Sequence, residues 1–216
     1  MKRTTKINLA LTGALVAAGT VAAVVLVRPA APDANPAEVT VVAENSHRLD
    51  TAPDGAVVFT EFLDFECEVC AAVHPVVEEL RETHAGEVTF VTRYFPLPGH
   101  KNSMNAAIAV EAAAEQGQFE AMYQRMFETQ AEWGEQQESK ADVFRGYAEG
   151  LGLNMADYDH AVGDPSTEAR VKQDFDAGMA LGVEATPTIF LNDKPIELST
   201  PDELRAAVAS AVETAR

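Results

Sequence analysis

Cys67 and Cys70, the only two cysteines of the chain, are the residues whose type and spacing best support chemistry. Val73, Val77 and Leu80 follow them at helical spacing, which predicts that the pair opens a helix of about four turns. Thiols at positions i and i+3 of a first helical turn come close enough to form a disulfide. The pattern therefore predicts a dithiol that can be oxidised and reduced.

The two sulfurs are expected to differ in reactivity because they occupy different depths of the helix. Cys67 falls at the helix N-terminus, where unpaired backbone N–H groups and the helix dipole favour a thiolate. Cys70 lies one turn deeper, where it is shielded. Cys67 is thus the predicted nucleophile of thiol–disulfide exchange, and Cys70 resolves the mixed disulfide.

Three other interpretations of the cysteine pair remain open. A structural disulfide is one, although a bridge that closes so short a loop stabilises little. Zinc is another, but a tetrahedral site needs four ligands and the chain has no second cysteine pair. The third is a non-enzymatic copper-binding metallochaperone that holds Cu(I) through Cys67, Cys70 and His74. Thiol exchange itself predicts neither a metal nor a cofactor.

Glu61 and the Thr186-Pro187 step are predicted to assist the cysteine pair. Glu61 stands in an apolar strand six residues before Cys67, so it is either exposed at a sheet edge or buried beneath the dithiol. A buried carboxyl would have a raised pKa and could take the proton of Cys70 during resolution. A cis bond at Thr186-Pro187 would present the N–H and C=O groups of residue 186 to a substrate peptide.

The elements around the cysteine pair follow a strand, helix, strand order. Residues 57–65 (VVFTEFLDF) form an apolar run typical of a strand that is buried on both faces. Residues 87–95 (EVTFVTRYF) predict a second strand, and such a unit joins parallel strands by a right-handed crossover. Pro75 falls inside the intervening helix and is expected to bend it.

A long helical region is predicted from about residue 103 to residue 180. Its Ala-rich stretches, which also carry Leu, Met and Phe, are interrupted at several glycines and prolines. Asn154 is a candidate N-cap, and so is Ser166 or Thr167.

The C-terminal part predicts a β-hairpin followed by a helix. Short strands are expected at 188–191 and 196–198, joined by a turn. Residues 200–203 (TPDE) combine a cap, a proline at the first helical position and a glutamate three beyond the cap, which predicts a helix start. The whole order indicates an α/β thioredoxin fold with a helical insertion at about 99–180.

Three motifs resemble the bacterial DsbA-like thioredoxin family: FLDFECEVC at 62–70, YFPL at 94–97 and GVEATPT at 182–188. The likeness covers about residues 46–216, including the insertion. It implies an extracytoplasmic protein-disulfide oxidoreductase with Cys67 as nucleophile, Cys70 as resolving thiol and Pro187 as the cis-proline. Members of the family also commonly have an acidic residue at the position of Glu61.

The sequence departs from the family between the two cysteines, where Glu68 and Val69 replace the usual proline and a following His, polar or aromatic residue. The side chain of Val69 donates nothing to a thiolate, and Glu66 and Glu68 add negative charge that opposes its formation. A less stabilised thiolate makes a weaker oxidant. We therefore predict a reduction potential nearer the about −270 mV of thioredoxin than the about −120 mV of the strongest oxidase.

A disulfide isomerase is a further alternative within catalysis, since Thr186 before the cis-proline is compatible with one. Such enzymes usually add a dimerisation domain, for which residues 28–45 are too few. The histidines outside the motifs are expected to have no part in the site. His100, after Pro98 and Gly99, is assigned a loop or capping role, and His47 a place in a surface loop.

Residues 7–27 contain no charge, which predicts a single transmembrane helix, because a helix of that length crosses a bilayer core of about 30 Å. Lys2, Arg3 and Lys6 precede it, so the rest of the chain is expected outside the cytoplasm. A cleaved signal peptide, which would leave the domain secreted, and a cytosolic core helix are the alternatives.

We divide the chain into an anchor at 1–27, a Pro- and Ala-rich linker at 28–45 and the catalytic domain at 46–216. The net charge of −18 excludes nucleic-acid binding, since phosphates would be repelled. The expected partners are thiols and disulfides of exported proteins, a membrane redox protein that recycles the dithiol, and the membrane itself through residues 7–27.

Overall fold

The structure is a computed structural model that describes residues 39–53, 56–197 and 200–216. Two strands, a helix and a third strand come first, and a run of six helices separates them from the last two strands and the final helix of these ranges. The elements are β1 His47–Asp50, β2 Val57–Leu63, α1 Glu68–Thr83, β3 Val88–Tyr94, α2 Ser103–Ala114, α3 Phe119–Glu128, α4 Gln130–Trp133, α5 Ala141–Gly150, α6 Met155–Gly163, α7 Pro165–Ala180, β4 Thr188–Leu191, β5 Lys194–Ile196 and α8 Pro201–Ala215.

The strands form one mixed sheet in the order β1-β3-β2-β4-β5. The central strand β2 pairs parallel to β3 and antiparallel to β4, which continues into the hairpin with β5. The β-α-β unit, the hairpin and the helical insertion are thus confirmed. Because β2 is central, its apolar run is covered on both faces, as the composition of residues 57–65 predicts.

Three local predictions were wrong. Strand β1 was not predicted, and it pairs antiparallel with β3, so His47 lies in a strand instead of a loop. Strand β5 begins two residues before the predicted 196–198. Helix α7 is capped by Asp164, whose carboxylate accepts from the N–H of Ser166, and not by Ser166 or Thr167. Proline at the first position of that helix explains the shift, since it fixes the start one residue after Asp164.

Helices α1 and α8 cover one face of the sheet. Their apolar side chains pack with those of β2, β3 and β4 in one cluster: Val57, Phe59, Val76, Val77, Leu80, Val88, Phe90, Ile189, Leu191, Leu204, Val208 and Val212. Successive strand residues point to opposite faces, so Glu61 shares the face of Phe59 and points towards α1. Pro75 lies inside α1, as predicted.

The opposite face of the sheet is covered by α7, the last helix of the insertion, which lies very close to it. A Cβ atom built on Gly178 of α7 would lie 2.7 Å from Cδ2 of Phe95 and 3.1 Å from Cδ1 of Phe62. A buried ion pair crosses the same boundary, where Nε of Arg93 donates to Oδ1 of Asp174 at 2.7 Å. The insertion is therefore in direct contact with the strands that carry the site.

The predicted transmembrane helix at 7–27, and the linker up to residue 38, lie outside the described residues. Among the residues that are described, no helix combines the length and apolar character needed to cross a bilayer.

Candidate active site

Cys67 occupies the N-cap position of α1, as the sequence predicts. Its backbone is extended (φ −71°, ψ 121°), and no side chain caps the helix in its place. The two cysteines are in the dithiol form. Cys67 is 5% exposed, whereas Cys70, one turn deeper, is fully buried in the apolar cluster built largely by the insertion.

The environment of Cys67 favours the thiolate. A hydrogen bond from the Cys70 side chain is the main cause that lowers the pKa of Cys67 from 9.0 to about 6. Burial works in the opposite direction, while the Thr186 side chain and the backbone N–H groups of Cys70 and Val69 add to the lowering. These N–H groups are those that a helix N-terminus leaves without an intrahelical partner.

Cys70 has the opposite tendency. Burial, followed by the hydrogen bond that its thiol gives to Cys67, raises the pKa of Cys70 well above its usual value. The negative charge of Glu61 adds to this effect. The pair is therefore divided into one sulfur that ionises readily and one that keeps its proton until a base removes it.

Glu61 is buried, at 2% exposed, so the edge alternative was wrong. Burial raises the pKa of Glu61 from 4.5 to about 8, with smaller contributions from the negative charges of Cys67 and Glu78. Its Oε1 atom accepts no hydrogen bond from the described residues. A carboxyl that titrates close to neutral pH in this position can both give and take a proton.

The Thr186-Pro187 bond is cis, as predicted, and it lies against the nucleophile. The thiol of Cys67 donates to the carbonyl oxygen of Thr186 at 3.4 Å. The hydroxyl oxygen of Thr186 is buried and has no hydrogen-bond partner of ordinary geometry among the described residues. The hydroxyl is therefore able to turn towards the sulfur of Cys67. The structure thus brings together the five residues that the sequence predicts for thiol exchange: Cys67, Cys70, Glu61, Thr186 and Pro187.

An apolar groove of about 380 Å³ opens beside the cis-proline, and sequence reasoning did not find it. Its apolar walls come from α1, β4, β5 and α8: Val69, Val73, Val76, Ile189, Ile196 and Leu204. Val69, between the two cysteines, is 56% exposed at the groove. No sequence pattern signals this groove, because its walls come from four separate elements.

Asp64 and His100 form a second pair next to the dithiol that the sequence analysis also missed. The buried carboxylate of Asp64 accepts from Nδ1 of His100 at 2.7 Å. Partial burial would lower the pKa of His100, but the hydrogen bond and charge of Asp64, with the charges of Cys67 and Glu66, outweigh it and raise the pKa. His100 lies in a loop as expected, yet its ring belongs to the surroundings of Cys67.

Glu66, expected to oppose the thiolate, is turned towards the insertion. It is 1% exposed, and its Oε2 accepts from the N–H of Asn102, the N-cap of α2, at 2.6 Å. Its charge is therefore partly balanced by the start of a helix.

The structure does not assemble the copper site considered for Cys67, Cys70 and His74. Both ring nitrogens of His74 face α3, with Nδ1 3.2 Å from the Tyr123 hydroxyl and Nε2 3.0 Å from Oε1 of Gln124. The ring also stacks on Phe127. That ligand set was wrong because packing of α1 on α3 uses the imidazole.

Solved structures with the same fold include several redox proteins. A thioredoxin-like oxidoreductase from Silicibacter pomeroyi DSS-3 is 24% identical, covers 81% of this chain and 96% of its own, and has a TM-score of 0.67. BdbD from Bacillus subtilis is 21% identical, with coverages of 78% and 93% and a TM-score of 0.68. Wolbachia pipientis alpha-DsbA1 is 18% identical, with coverages of 81% and 94% and a TM-score of 0.68. At these identities the likeness establishes the fold.

Curated relatives include proteins named as antiporters. The Na(+)/H(+) antiporter NhaA 1 of Mycolicibacterium gilvum is 35% identical over 147 residues, which cover 66% of this chain and 22% of that protein. The Na(+)/H(+) antiporter NhaA 3 of Salinispora tropica is 36% identical over 168 residues, which cover 76% and 24%. The chain thus spans about a quarter of the length of these relatives, and the antiporter activity is named for them.

The family comparison agrees with the motifs and the fold. The profile of the family described as Thioredoxin matches residues 51–210, which include both cysteines, the insertion and the cis-proline. The chain therefore belongs to the thioredoxin family, with the DsbA-like fold that its three motifs predict.

Proposed function

We propose that the protein is a thiol–disulfide oxidoreductase that acts on exported proteins through Cys67 and Cys70. The single observation that carries the proposal is the placement of the two sulfurs: Cys67 lies at the start of α1 against the cis-proline step, and Cys70 is buried one turn deeper. The pKa of Cys67 is lowered to about 6 and that of Cys70 is raised. A structural disulfide has no need of this difference, whereas exchange depends on it.

In the oxidising direction a substrate thiolate attacks Sγ of Cys67 in the Cys67–Cys70 disulfide. The bond between the two cysteines breaks, and the sulfur of Cys70 leaves with the electron pair. Glu61, protonated below its pKa of about 8, supplies the proton that Cys70 takes up. A second substrate thiolate then attacks the substrate sulfur of the mixed disulfide and releases the Cys67 thiolate, so two electrons have passed to the dithiol.

In the reducing direction the same steps run backwards. The Cys67 thiolate attacks a substrate disulfide, and the Glu61 carboxylate removes the proton of Cys70. The Cys70 thiolate then attacks Cys67 and releases the reduced substrate. The lowered pKa of Cys67 stabilises the reduced form, so it supports a higher reduction potential than an unperturbed thiol would give. That the reduction potential lies nearer the value of thioredoxin than that of the strongest oxidase stays a prediction.

The substrate segment is proposed to bind across the cis-proline. An extended peptide can pair with the backbone of Thr186 as an added strand, which places its cysteine against Cys67. The adjoining apolar groove then receives apolar side chains of the same segment. This arrangement favours unfolded or extended substrates over compact ones, because both contacts need exposed backbone and exposed apolar side chains.

Location and recycling complete the proposal. Residues 7–27 would anchor the chain with its dithiol outside the cytoplasm. A membrane redox partner would exchange electrons with the dithiol. Support comes from the uncharged length of that segment and the positive charges before it.

The test is to trap the mixed disulfide with the full chain and an unfolded protein substrate that carries a disulfide. Cys70→Ala should accumulate a covalent adduct through Cys67, because nothing resolves it. Cys67→Ala is the matched control and should form none. Adducts are counted on non-reducing gels. Absence of an adduct with Cys70→Ala, or equal amounts with both variants, would contradict the proposal.

A further inference from the structure

The dithiol has a charged neighbour outside the segment that carries the cysteines. The residues between the cysteines are Glu68 and Val69, so that segment brings no positive charge to the nucleophile. His100, 33 positions after Cys67 in the printed sequence, is joined to it through Asp64, which bonds the ring of His100 and the backbone of Cys67, and the charges of His100 and Cys67 interact. We propose that His100, held as a cation by Asp64, stabilises the Cys67 thiolate and thereby raises the reduction potential of the dithiol. This inference rests on the proposed function and adds a positioning residue to it.

Asp64 connects the histidine with the nucleophile. Its backbone carbonyl accepts from the N–H of Cys67 at 3.1 Å, and its side-chain Oδ2 accepts from Nδ1 of His100 at 2.7 Å. One residue thus fixes both the backbone of the nucleophile and the orientation of the imidazole ring.

The carboxylate of Asp64 has little freedom to turn away. It is 1% exposed, and it also accepts from the backbone N–H groups of Glu66 at 2.8 Å and Leu97 at 2.9 Å. The Oδ2 atom that accepts from His100 is therefore also held by the backbone of Leu97, at the start of the loop that leads to His100. Removal of the imidazolium would leave a buried negative charge near Cys67 without its counter-ion, which disfavours the thiolate further.

Within the described ranges, the ionisable groups found near the ring besides Asp64 are Glu66, Cys67, Glu68 and Glu135, which are acidic. Nε2 of His100 lies 3.9 Å from Oε1 of Glu135. The ring nitrogen and the carboxylates of Glu68 and Glu135 lie within 4.8 Å of one another. Glu66 and Cys67 contribute negative charge from the helix side. Each of these groups favours the protonated ring, and the exposed Glu68 and Glu135 are screened by solvent more than the buried Asp64 is.

The experiment measures the ionisation of Cys67 and the potential of the pair in the full chain. His100→Gln removes the charge and keeps a polar side chain of similar size. Ultraviolet absorbance of the thiolate should show the pKa of Cys67 rising by about one unit. At about pH 7 the reduced form should then be about fivefold less stabilised. Against a glutathione buffer this corresponds to a potential lower by about 20 mV.

Two features separate a charge effect from a structural one. His100→Lys restores a cation, so it should return the thiolate pKa most of the way to its original value. The difference in potential between wild type and His100→Gln should close as the pH rises above the pKa of His100, because the wild-type ring then loses its charge. A merely structural role would give a difference that persists above the pKa of His100.

His84→Gln is the matched control. His84 caps the opposite end of α1, and its Nδ1 also faces a carboxylate, that of Glu87, at 3.5 Å. This variant should leave the thiolate pKa and the potential unchanged. Equal shifts in both variants, or an unshifted His100→Gln protein, would overturn the inference alone. A wild-type chain that exchanges no disulfides would overturn the proposed function instead.

Discussion

Helix starts in this molecule are of two kinds. Helix α6 begins at Asn154, whose side chain accepts from the N–H groups of Ala156 and Asp157. Helices α7 and α8 are capped in the same way by Asp164 and Thr200. Helix α1 begins at Cys67 and, like α2 to α5, has no capping side chain, but α1 alone among these has a thiol at its N-cap position.

The difference shows how one property of helices is used for two purposes. At α6 the free N–H groups are satisfied by the chain itself, which stabilises the fold. At α1 the N–H groups of Val69 and Cys70 remain for the sulfur of Cys67 and lower its pKa. The start of α1 thus gives up capping stability and gains a reactive thiolate. Substitutions at both kinds of start can test this comparison.

The largest expected effect is that of Cys67→Ser. Exchange should be lost completely, because the hydroxyl does not ionise near neutral pH. The reduced protein should nevertheless become more stable by about 1 kcal/mol, since serine is a preferred N-cap. The comparison is made by urea unfolding at about pH 5, below the pKa of about 6, where wild-type Cys67 is mostly protonated.

The stability gain should shrink as the pH rises from about 6 towards 9.0. In this range the folded wild-type protein holds a thiolate while the unfolded chain still holds a thiol, so ionisation stabilises the wild type. If the Cys67→Ser protein is less stable than wild type at about pH 5, the missing cap of α1 does not lower the stability of the wild-type protein.

An intermediate effect is expected from Glu61→Gln. Glutamine keeps the shape but transfers no proton, so resolution by Cys70 should slow by about a hundredfold while the first attack by Cys67 is unaffected. Single-turnover kinetics distinguish the two steps. Glu79→Gln, on the exposed side of α1, is the control and should change neither step.

Glu61→Gln should also change how the free energy of unfolding depends on pH. The folded pKa of Glu61 is raised, so its contribution is fully present below 4.5 and is lost as the pH rises through about 8. Burial, the main cause, persists in the oxidised protein, where no thiol titrates. Oxidised wild-type protein should therefore lose stability as the pH rises above 4.5, relative to oxidised Glu61→Gln. Parallel pH profiles for the two proteins would mean that Glu61 ionises normally.

The smallest effect is expected at the conventional helix start. Asn154→Ala removes the cap of α6 and should lower the free energy of unfolding by about 1 kcal/mol. The exchange rate should not change, because α6 lies in the insertion and contributes no residue to the site. A slower exchange in this variant would show that the two kinds of helix start are coupled.

Much of the fold was predictable because its signals are local. The apolar runs at 57–65 and 87–95 define β2 and β3 to within two residues at each end. The capping pattern at 200–203 places the start of α8 correctly. Strand β1 was missed because its four residues, HRLD, contain a single apolar side chain, and only pairing with β3 makes them a strand.

The site was predictable where the chemistry lies within one motif. Cys67, Cys70 and Glu61 belong to one strand–helix unit, and their burial follows from its apolar pattern. His100 was not predictable in the same way, because its partner Asp64 is 36 positions away and only the folded chain brings them together. The apolar groove has the same origin in tertiary contacts.

Gly178 restricts how this sequence can evolve. In a helix, alanine is intrinsically favoured over glycine by about 1 kcal/mol, so mutation to alanine would look harmless from the sequence alone. Its methyl carbon would, however, fall 2.7 Å from the ring of Phe95, closer than packed carbons lie. Position 178 should therefore remain glycine in the descendants of this chain, whereas its exposed neighbour Met179 is free to change. In an alignment of those descendants, position 178 would be invariant because of this contact.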